Sequence, residues 1–459
     1  MIKETCIIYP TSRHTCPSPP LAIPLHGLDL LGPPMDIHNH RFYHSPGCSF
    51  TVITDKLKSS LSEALELYPP VAGTVKTKEN GEVYISTEAI GTPFTTEVID
   101  APYVCDFERL SPRNTLPIPL LSPSLAVKVT KFSCGVVVVA SSINHQITDL
   151  CGYLDFLKLW SKLARGEAAD FTKIPTSWFH NPGRFFSEAD NYTSGNPPPP
   201  FEVHSAPLTG PQALLLATSN FTRWKITKSS LQRLKQDLSP SAPEKWISSG
   251  DALVAIISGA ITRARESKKV KRLEGRSPEE SQIEAISMAA DGRERAPEGN
   301  MAEGQYFGNF NVLLSSEVCR SDLLSSTNEA ASRVALAIRN TLNAELSPEA
   351  VKSKISFFED PKNIEPPGRI SWTVDVIFTN WCKFDLKSKD YDLGWGKPFL
   401  ATDGAGCIFP PGYCLLTKDY DTSDIFMLIT VEEEAADKLI RDLMLNVYAE
   451  REPNQSYKV

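Results

Sequence analysis

The chain has 459 residues, too many for one comfortable core, so two domains are expected. Its 41% hydrophobic and 22% charged content is that of an ordinary globular protein, and a net charge of −8 without a long basic stripe argues against nucleic acid as the main partner. The first twenty residues lack the apolar core of a secretory signal, no apolar run approaches a membrane span, and the ten cysteines are scattered without a C-x-x-C, so a reduced cytoplasmic setting with no membrane partner is expected.

Near the start, "MDIHNHRFYH" gathers His38, His40 and His44. A strand would put His38 and His40 on one face, but no cysteine or glutamate accompanies them, so no metal site is expected. "TDKLKSSLSEALELYPPVAG" reads as a helix capped by Thr54 or Asp55, with Leu57, Leu61 and Leu65 on one face and Pro69 and Pro70 as the stop. "LAVKVTKFS" alternates as a half-buried strand does. After a turn at Gly135, "VVVVASSI" is continuously apolar and β-branched, as in a strand covered on both faces.

The pattern then switches. Leu150, Tyr153, Leu154, Leu157, Trp160 and Ala164 follow helical spacing and Gly166 ends the run. "NHQITD" is therefore the junction of a buried strand with a helix N-terminus, where orphan N–H groups and the positive dipole end favour chemistry. His145 stands in that junction. A neutral imidazole, with an unperturbed pKa of about 6.5, suits a general base. The pattern H-x-x-x-D is short, however, and a buried structural histidine reads it as well. Asp149 divides in the same way, between orienting the imidazole and a structural role as helix cap or partner of a distant arginine.

"SGNPPPPF", Ser194 to Phe201, is the clearest linker, since four prolines hold a connector extended. Beyond it, "FTRWKITKSSLQRLKQD" reads as strand then helix. "SSGDALVAIISGAITRARE" is a strong helix capped near Ser249, "KKVKRLEGRSPEESQ" a flexible loop, and "FMLITVEEEAADKLIRDLM" a strand and closing helix. In "YDLGWGKP" the glycines around Trp395 predict a tight turn after Asp392. No G-x-S-x-G, P-loop or G-x-G-x-x-G occurs. Alternating strands and helices give an α/β (α+β) class in two lobes.

Together these pieces resemble the BAHD family, the H-x-x-x-D acyl-CoA-dependent acyltransferases, with a divergence closer to the fungal trichothecene-acetyltransferase-like members. His145–Asp149 matches the first family motif, and "DLGWG", Asp392–Gly396, matches D-F-G-W-G with Leu393 in place of Phe. "LKSSLSEALELYPPVAG", "LAVKVTKFSCG", "DGRERAPEG…QYFGN" and "FTNW" resemble further family blocks in the family's order, from about residue 50 to 400. Leu150 stands where the family usually has glycine, with Gly152 two residues on.

The resemblance implies a chloramphenicol-acetyltransferase-like fold of two mixed-sheet lobes with a channel between them. It divides the chain into a first lobe over 1–195, a crossover linker over 196–219 and a second lobe over 220–459, with a segment near 365–385 completing the first lobe. It implies a monomer with no resident cofactor, an acyl-CoA co-substrate (acetyl-CoA by family habit) and a small-molecule alcohol acceptor. His145 would be the base, and no covalent acyl-enzyme would form. Asp149 would pair with Arg293 and shape the site. Thr379, or else the Trp381 indole, would hold the oxyanion. Asp392, Gly394, Trp395 and Gly396 would be structural. Ser249, Asp251 and Arg265, at the start and end of one helix, are the candidates for the CoA phosphates. Two other readings remain. One is a non-catalytic metabolite-binding relative, which Leu150 keeps open. The other is a condensation-type catalyst using carrier-protein thioesters, where Asn144 stands in place of a first histidine.

Overall fold

The computed structural model describes residues 2–14, 19–25, 27–31, 35–88, 90–103, 107–112, 123–186, 197–206, 219–242, 245–268, 282–297, 305–364, 369–372, 374–403 and 409–452. Most of the expected flexible loop at 268–282, residues 269–281, and most of the 196–219 linker lie outside them.

The first lobe is built on strands β1 (Ile2–Ile8), β2 (Asp36–Tyr43), β3 (Thr92–Ile99), β4 (Leu125–Phe132) and β5 (Val137–Asn144). The β-branched run of β5 makes it a central strand, paired on both sides with β4 and β2. Its Val137, Val139 and Ile143 enter the core under helices α1 (Phe50–Leu67) and α2 (Leu150–Ala164), while Val138 points to a smaller cluster on the opposite face. The expected Leu57, Leu61 and Leu65 stripe is fully buried there, each side chain worth about 1.5–3 kcal/mol. The Trp160 indole donates to the Leu57 carbonyl and the Ser60 hydroxyl, tying α2 to α1. Helix α1 begins at Phe50, earlier than Thr54 or Asp55 would cap it, because the Ser49 hydroxyl accepts from the Val52 N–H. Thr54 lies inside the helix and donates to the Thr51 carbonyl.

The second lobe has a seven-stranded sheet in the order β8–β7–β9–β11–β12–β6–β13. These are β6 (Ser219–Ile226), β7 (Ile283–Asp291), β8 (Asn311–Cys319), β9 (Val376–Asn380), β11 (Tyr413–Lys418), β12 (Ile425–Glu432) and β13 (Glu450–Glu452); β10 (Leu400–Thr402) belongs elsewhere. Helices α3 (Lys228–Leu238), α4 (Ser249–Lys268) and α5 (Asn328–Glu345) cover one face. Helix α4 is apolar on nearly every side because it is buried on nearly every side.

The crossover between lobes needs correction. Among the described residues of 365–385 none pairs into the first sheet, although Trp381 and Phe384 pack against the first lobe's core. Strand β9 carries the T-x-W motif and lies inside the second sheet, parallel to both β7 and β11. The strand that crosses is β10, which pairs antiparallel with β2 and closes the first sheet in the order β1–β3–β4–β5–β2–β10. Leu386, Tyr391 and Leu393, on the way to it, are buried in the first lobe's core. The linker also carries structure: Phe201–Val203 pairs with Ile370–Trp372 as a separate two-stranded ribbon.

Candidate active site

His145 follows the last residue of β5 in a turn, and its backbone N–H donates to the Met35 carbonyl at 2.8 Å. Among the described residues the half-buried side chain has one polar partner, with Nδ1 3.0 Å from Asn309 Oδ1. The Asn309 amide orientation is settled by its other contacts. Nδ2 donates to the His145 carbonyl and to Asp29 Oδ1, both at 2.8 Å. Oδ1 can then only accept, so the hydrogen of neutral His145 sits on Nδ1, and Nε2 has no partner among the described residues.

Asp149 is buried and accepts from four directions. It caps α2 through the Gly152 N–H at 3.2 Å and takes the Phe310 N–H at 2.8 Å. Arg293 meets it with two parallel bonds, at 2.7 and 3.1 Å. The same guanidinium donates to the Gly308 carbonyl at 2.8 Å and to Asp291 at 3.2 Å. Burial opposes the charge on Arg293, but Asp149, Cys151 and Asp291 hold its pKa well above the ordinary value. Thus Asp149 joins the helix start to the chain around residue 309, the chain that carries the partner of His145. Among the described residues its hydrogen bonds run to backbone and to Arg293, none to the imidazole.

Gly152 answers the departure at position 150. A Cβ there would run into the Thr148 hydroxyl and the Phe307 carbonyl, which hydrogen-bond each other. Leu150 turns into the first lobe's core. The small residue is therefore needed one turn into the helix, where the 305–310 segment lies against it. Two thiols near these elements, Cys151 and Cys382, are each pushed up to about 12 by burial and stay protonated near neutrality.

Thr379 pairs with Ala289 and Leu415, and Leu415 pairs with Leu428, so the four form one cross-strand row on one face of the second sheet. Leu415 and Leu428 make a cluster with Phe409, against which Trp381 and Met35 pack. Met35 is the residue whose carbonyl holds the His145 backbone. The T-x-W strand therefore meets the histidine turn across the lobe junction.

Ser249 lines a cavity of about 770 Å³ at the ends of β7, β9 and β11. Lys228, Arg295, Lys383 and Lys418 line it too, with Asp291, Glu294 and Asn380. Lys383 is engaged by both acids, at 2.8 and 3.1 Å. Asp251 and Arg265 are not brought there. Asp251 is buried, accepts the Ser248 N–H and pairs with Arg339 at 2.8 and 2.9 Å. Arg265 is buried against Glu432 and the Asp375 carbonyl. It stands 16 residues, roughly 24 Å, along α4 from Ser249, so one ligand group cannot be shared by both ends.

The second motif is a turn. Asp392 Oδ1 accepts from the N–H groups of Gly394, Trp395 and Gly396 at 2.7, 3.0 and 2.9 Å. Both glycines have φ near +100°, at 98° and 105°, which other residues adopt only under strain. Trp395 meets Tyr43 edge-on, and Tyr43 pairs with Val137, at the far end of β5 from Asn144. Seven residues of strand, about 23 Å, separate those two levels. His38 and His40 do share a face of β2. His38 bonds the Ser142 hydroxyl at 2.7 Å, and burial, with His38 and Lys128 nearby, pushes His40 down to about 3. His44 stacks on Phe399. Among the described residues no group of three acidic, histidine or cysteine ligands gathers, and no helix is long and apolar enough to cross a membrane.

Asn309 stands in the block "QYFGN", whose resemblance assigns it no role, and no motif singles out Asp29, Lys228, Arg295 or Lys418. The block "QYFGN" was the available signal for Asn309. Lys228, Arg295 and Lys418 come from three separate segments and leave no local pattern.

Two mixed-sheet lobes with His145 at their junction give the chain a chloramphenicol-acetyltransferase-like fold. The chain matches the model of the Transferase family over residues 2–442, and it belongs to that family, the BAHD acyltransferases. It is 24% identical to a hydroxycinnamoyltransferase of Narcissus pseudonarcissus, over 88% of this chain and 90% of that protein. It is 25% identical to a hydroxycinnamoyl-CoA:5-hydroxyanthranilate N-hydroxycinnamoyltransferase of Avena sativa, over 85% and 86%. Among solved structures it shares its fold with F. graminearum TRI101 in complex with coenzyme A and T-2 mycotoxin, at a TM-score of 0.72, 20% identity and coverage of 94% and 99%. Vinorine synthase shares it at 0.66, 20% identity and coverage of 98% and 99%. The protein is an acyltransferase of this family, whose members use acyl-CoA donors and hydroxyl or amine acceptors.

Proposed function

We propose that the protein transfers an acyl group directly from an acyl-CoA thioester to a hydroxyl of a small specialised metabolite, with an amine as the second choice of acceptor. The observation that carries this is the His145–Asn309 contact, which leaves Nε2 as an unengaged base. Nε2 takes the acceptor proton as the oxygen attacks the thioester carbonyl. The Thr379 hydroxyl, with the Trp381 indole N–H as alternate, donates to the oxyanion, an interaction worth ~3–4 kcal/mol. His145 then returns the proton to the departing CoA thiolate. No acyl-enzyme forms on cysteine, in keeping with the raised thiol pKa values.

The CoA phosphates bind in the cavity, on Lys228, Arg295 and Lys418 with the Ser249 hydroxyl. Arg295 Nε is buried there with no partner among the described residues, a donor awaiting an anion. Acetyl-CoA is the first donor to test. Hydroxycinnamoyl-CoA and benzoyl-CoA follow, because relatives carry those groups in their names. The enzyme works as a cytoplasmic monomer in this reading.

The test is thermal unfolding against a panel of CoA thioesters. A ligand at 100 times its Kd stabilises the fold by about 2.7 kcal/mol. A thioester that raises the midpoint, and does so more than its dephospho form, supports both donor class and cavity. A panel with no shift sinks the CoA reading and leaves a binding protein of the same fold.

A further inference from the structure

Behind Asn309 the hydrogen bonds continue. Asp29 lies in a short 3-10 turn, Gly27–Leu30, and is 3% exposed. Its Oδ1 accepts from both the backbone N–H of Asn309, at 3.1 Å, and the side-chain Nδ2, at 2.8 Å. Its Oδ2 faces His180 Nδ1 at 2.9 Å, and the two side chains are 0% and 2% exposed. The four residues come from four separate stretches of chain and form one line, His145–Asn309–Asp29–His180.

We propose that Asp29 and His180 are positioning residues for the reaction, setting the tautomer of His145 through Asn309. This rests on the reading of His145 as the base. The carboxylate of Asp29 can only accept, so His180 holds its hydrogen on Nδ1. That bond occupies Oδ2 and turns Oδ1 toward Asn309. With Oδ1 fixed, the amide presents Nδ2 to Asp29 and Oδ1 to His145. A reversed amide would set its oxygen against both the carboxylate and the His145 carbonyl. The hydrogen on His145 Nδ1 is the consequence, and Nε2 becomes the base. A simple packing role would explain burial of His180. It would not require that one buried carboxylate meet an imidazole through Oδ2 and, through Oδ1, the amide that touches the base. Contact is also close on the backbone side, since a Cβ at Gly308 would stand 2.8 Å from the His180 ring. His180 Nε2 has no partner among the described residues, so Asp29 is its one polar tie.

The experiment uses the full chain labelled with ¹⁵N-histidine. The His145 signals are assigned by their absence in His145→Ala. His180→Leu removes the donor to Asp29, and His180→Asn keeps an N–H near the Nδ1 position. The expected wild-type spectrum shows His145 with its hydrogen on Nδ1. In His180→Leu the signals move toward a mixed tautomer and kcat falls roughly 10- to 100-fold, as for other second-layer partners, while the KM for the thioester changes by less than about twofold. His180→Asn restores both readouts. Retention of the Nδ1–H form with unchanged kcat in His180→Leu overturns the proposal, as does a kcat loss that His180→Asn does not rescue. If His180→Leu fails to fold, Asp29→Asn is read by the same spectrum and rates. The tautomer needs no turnover to be seen. An inactive protein with a Nδ1–H His145 that shifts in His180→Leu therefore refutes the acyl-transfer reading and keeps the relay.

Discussion

Arg293 and Asp149 meet through two parallel hydrogen bonds, at 2.7 and 3.1 Å, and join the start of α2 in the first lobe to the chain after β7 in the second. Bidentate geometry makes this a strong pair, and removing one partner leaves the other buried and charged. Asp149→Asn is expected to cost about 3–5 kcal/mol of stability, read as a lower unfolding midpoint, with activity falling in step. A stable, well-folded but inactive Asp149→Asn would instead make the carboxylate part of the chemistry.

For the imidazole the expectation is reversed. His145→Ala should keep the unfolding midpoint and lose at least roughly 10²-fold in kcat. The half-buried ring has one side-chain hydrogen-bond partner among the described residues, so little is lost with it. Near-full activity in this variant rules out the general base.

Thr379→Val keeps the shape of the β-branched side chain and deletes the hydroxyl. Loss of one oxyanion donor predicts a fall of about 10²-fold in kcat with a smaller change in KM. An equal change in KM alone would assign the hydroxyl to ground-state binding.

His40 gives a pH signature. Its folded pKa is lowered to about 3, by burial first and by His38 and Lys128 after, from 6.5. Below pH 6.5 the unfolded chain takes up a proton that the folded chain refuses until near pH 3. Stability contributed by the neutral ring is thus complete above 6.5 and declines as pH falls, by about 1.4 kcal/mol per unit at most. His40→Gln should flatten the dependence of the unfolding midpoint between pH 6.5 and 4.5. An unchanged slope would mean that other groups carry the acid sensitivity.

The second motif tests separately. Asp392→Ala orphans three N–H groups at once, two of them on residues with positive φ. A loss of about 1–3 kcal/mol per buried donor left unmet is the upper scale, and exposed glycine N–H groups will recover water, so a total near 2 kcal/mol is expected. The kcat of the remaining folded enzyme should be unaffected.

What the sequence disclosed follows physical range. The strand–turn–helix around His145 was readable because β-branched residues give way to helical spacing within ten positions. Asp149 as a cap was readable because an N-cap acts over three residues. Ser49 was missed as the true cap of α1 because "FTVIT" shows no amphipathic stripe to announce a helix. Arg265 was misjudged because a basic residue near a helix end looks free until its partner Glu432, 167 residues away, is in view. Asp29 lies 280 residues from Asn309 and 151 from His180, so no window of sequence contains any two of them.

Strand β10 is three residues long and joins the first sheet from far along the chain. During synthesis the ribosome will have released most of the polypeptide before residue 402 can dock. Until then the outer edge of β2 stays open, a bare row of backbone groups beside the strand that leads to His145. The first sheet cannot close until the chain has been made as far as residue 402, well into the sequence of the second lobe. A nascent chain stalled before residue 400 exposes an edge that a chaperone or a second nascent chain will meet first.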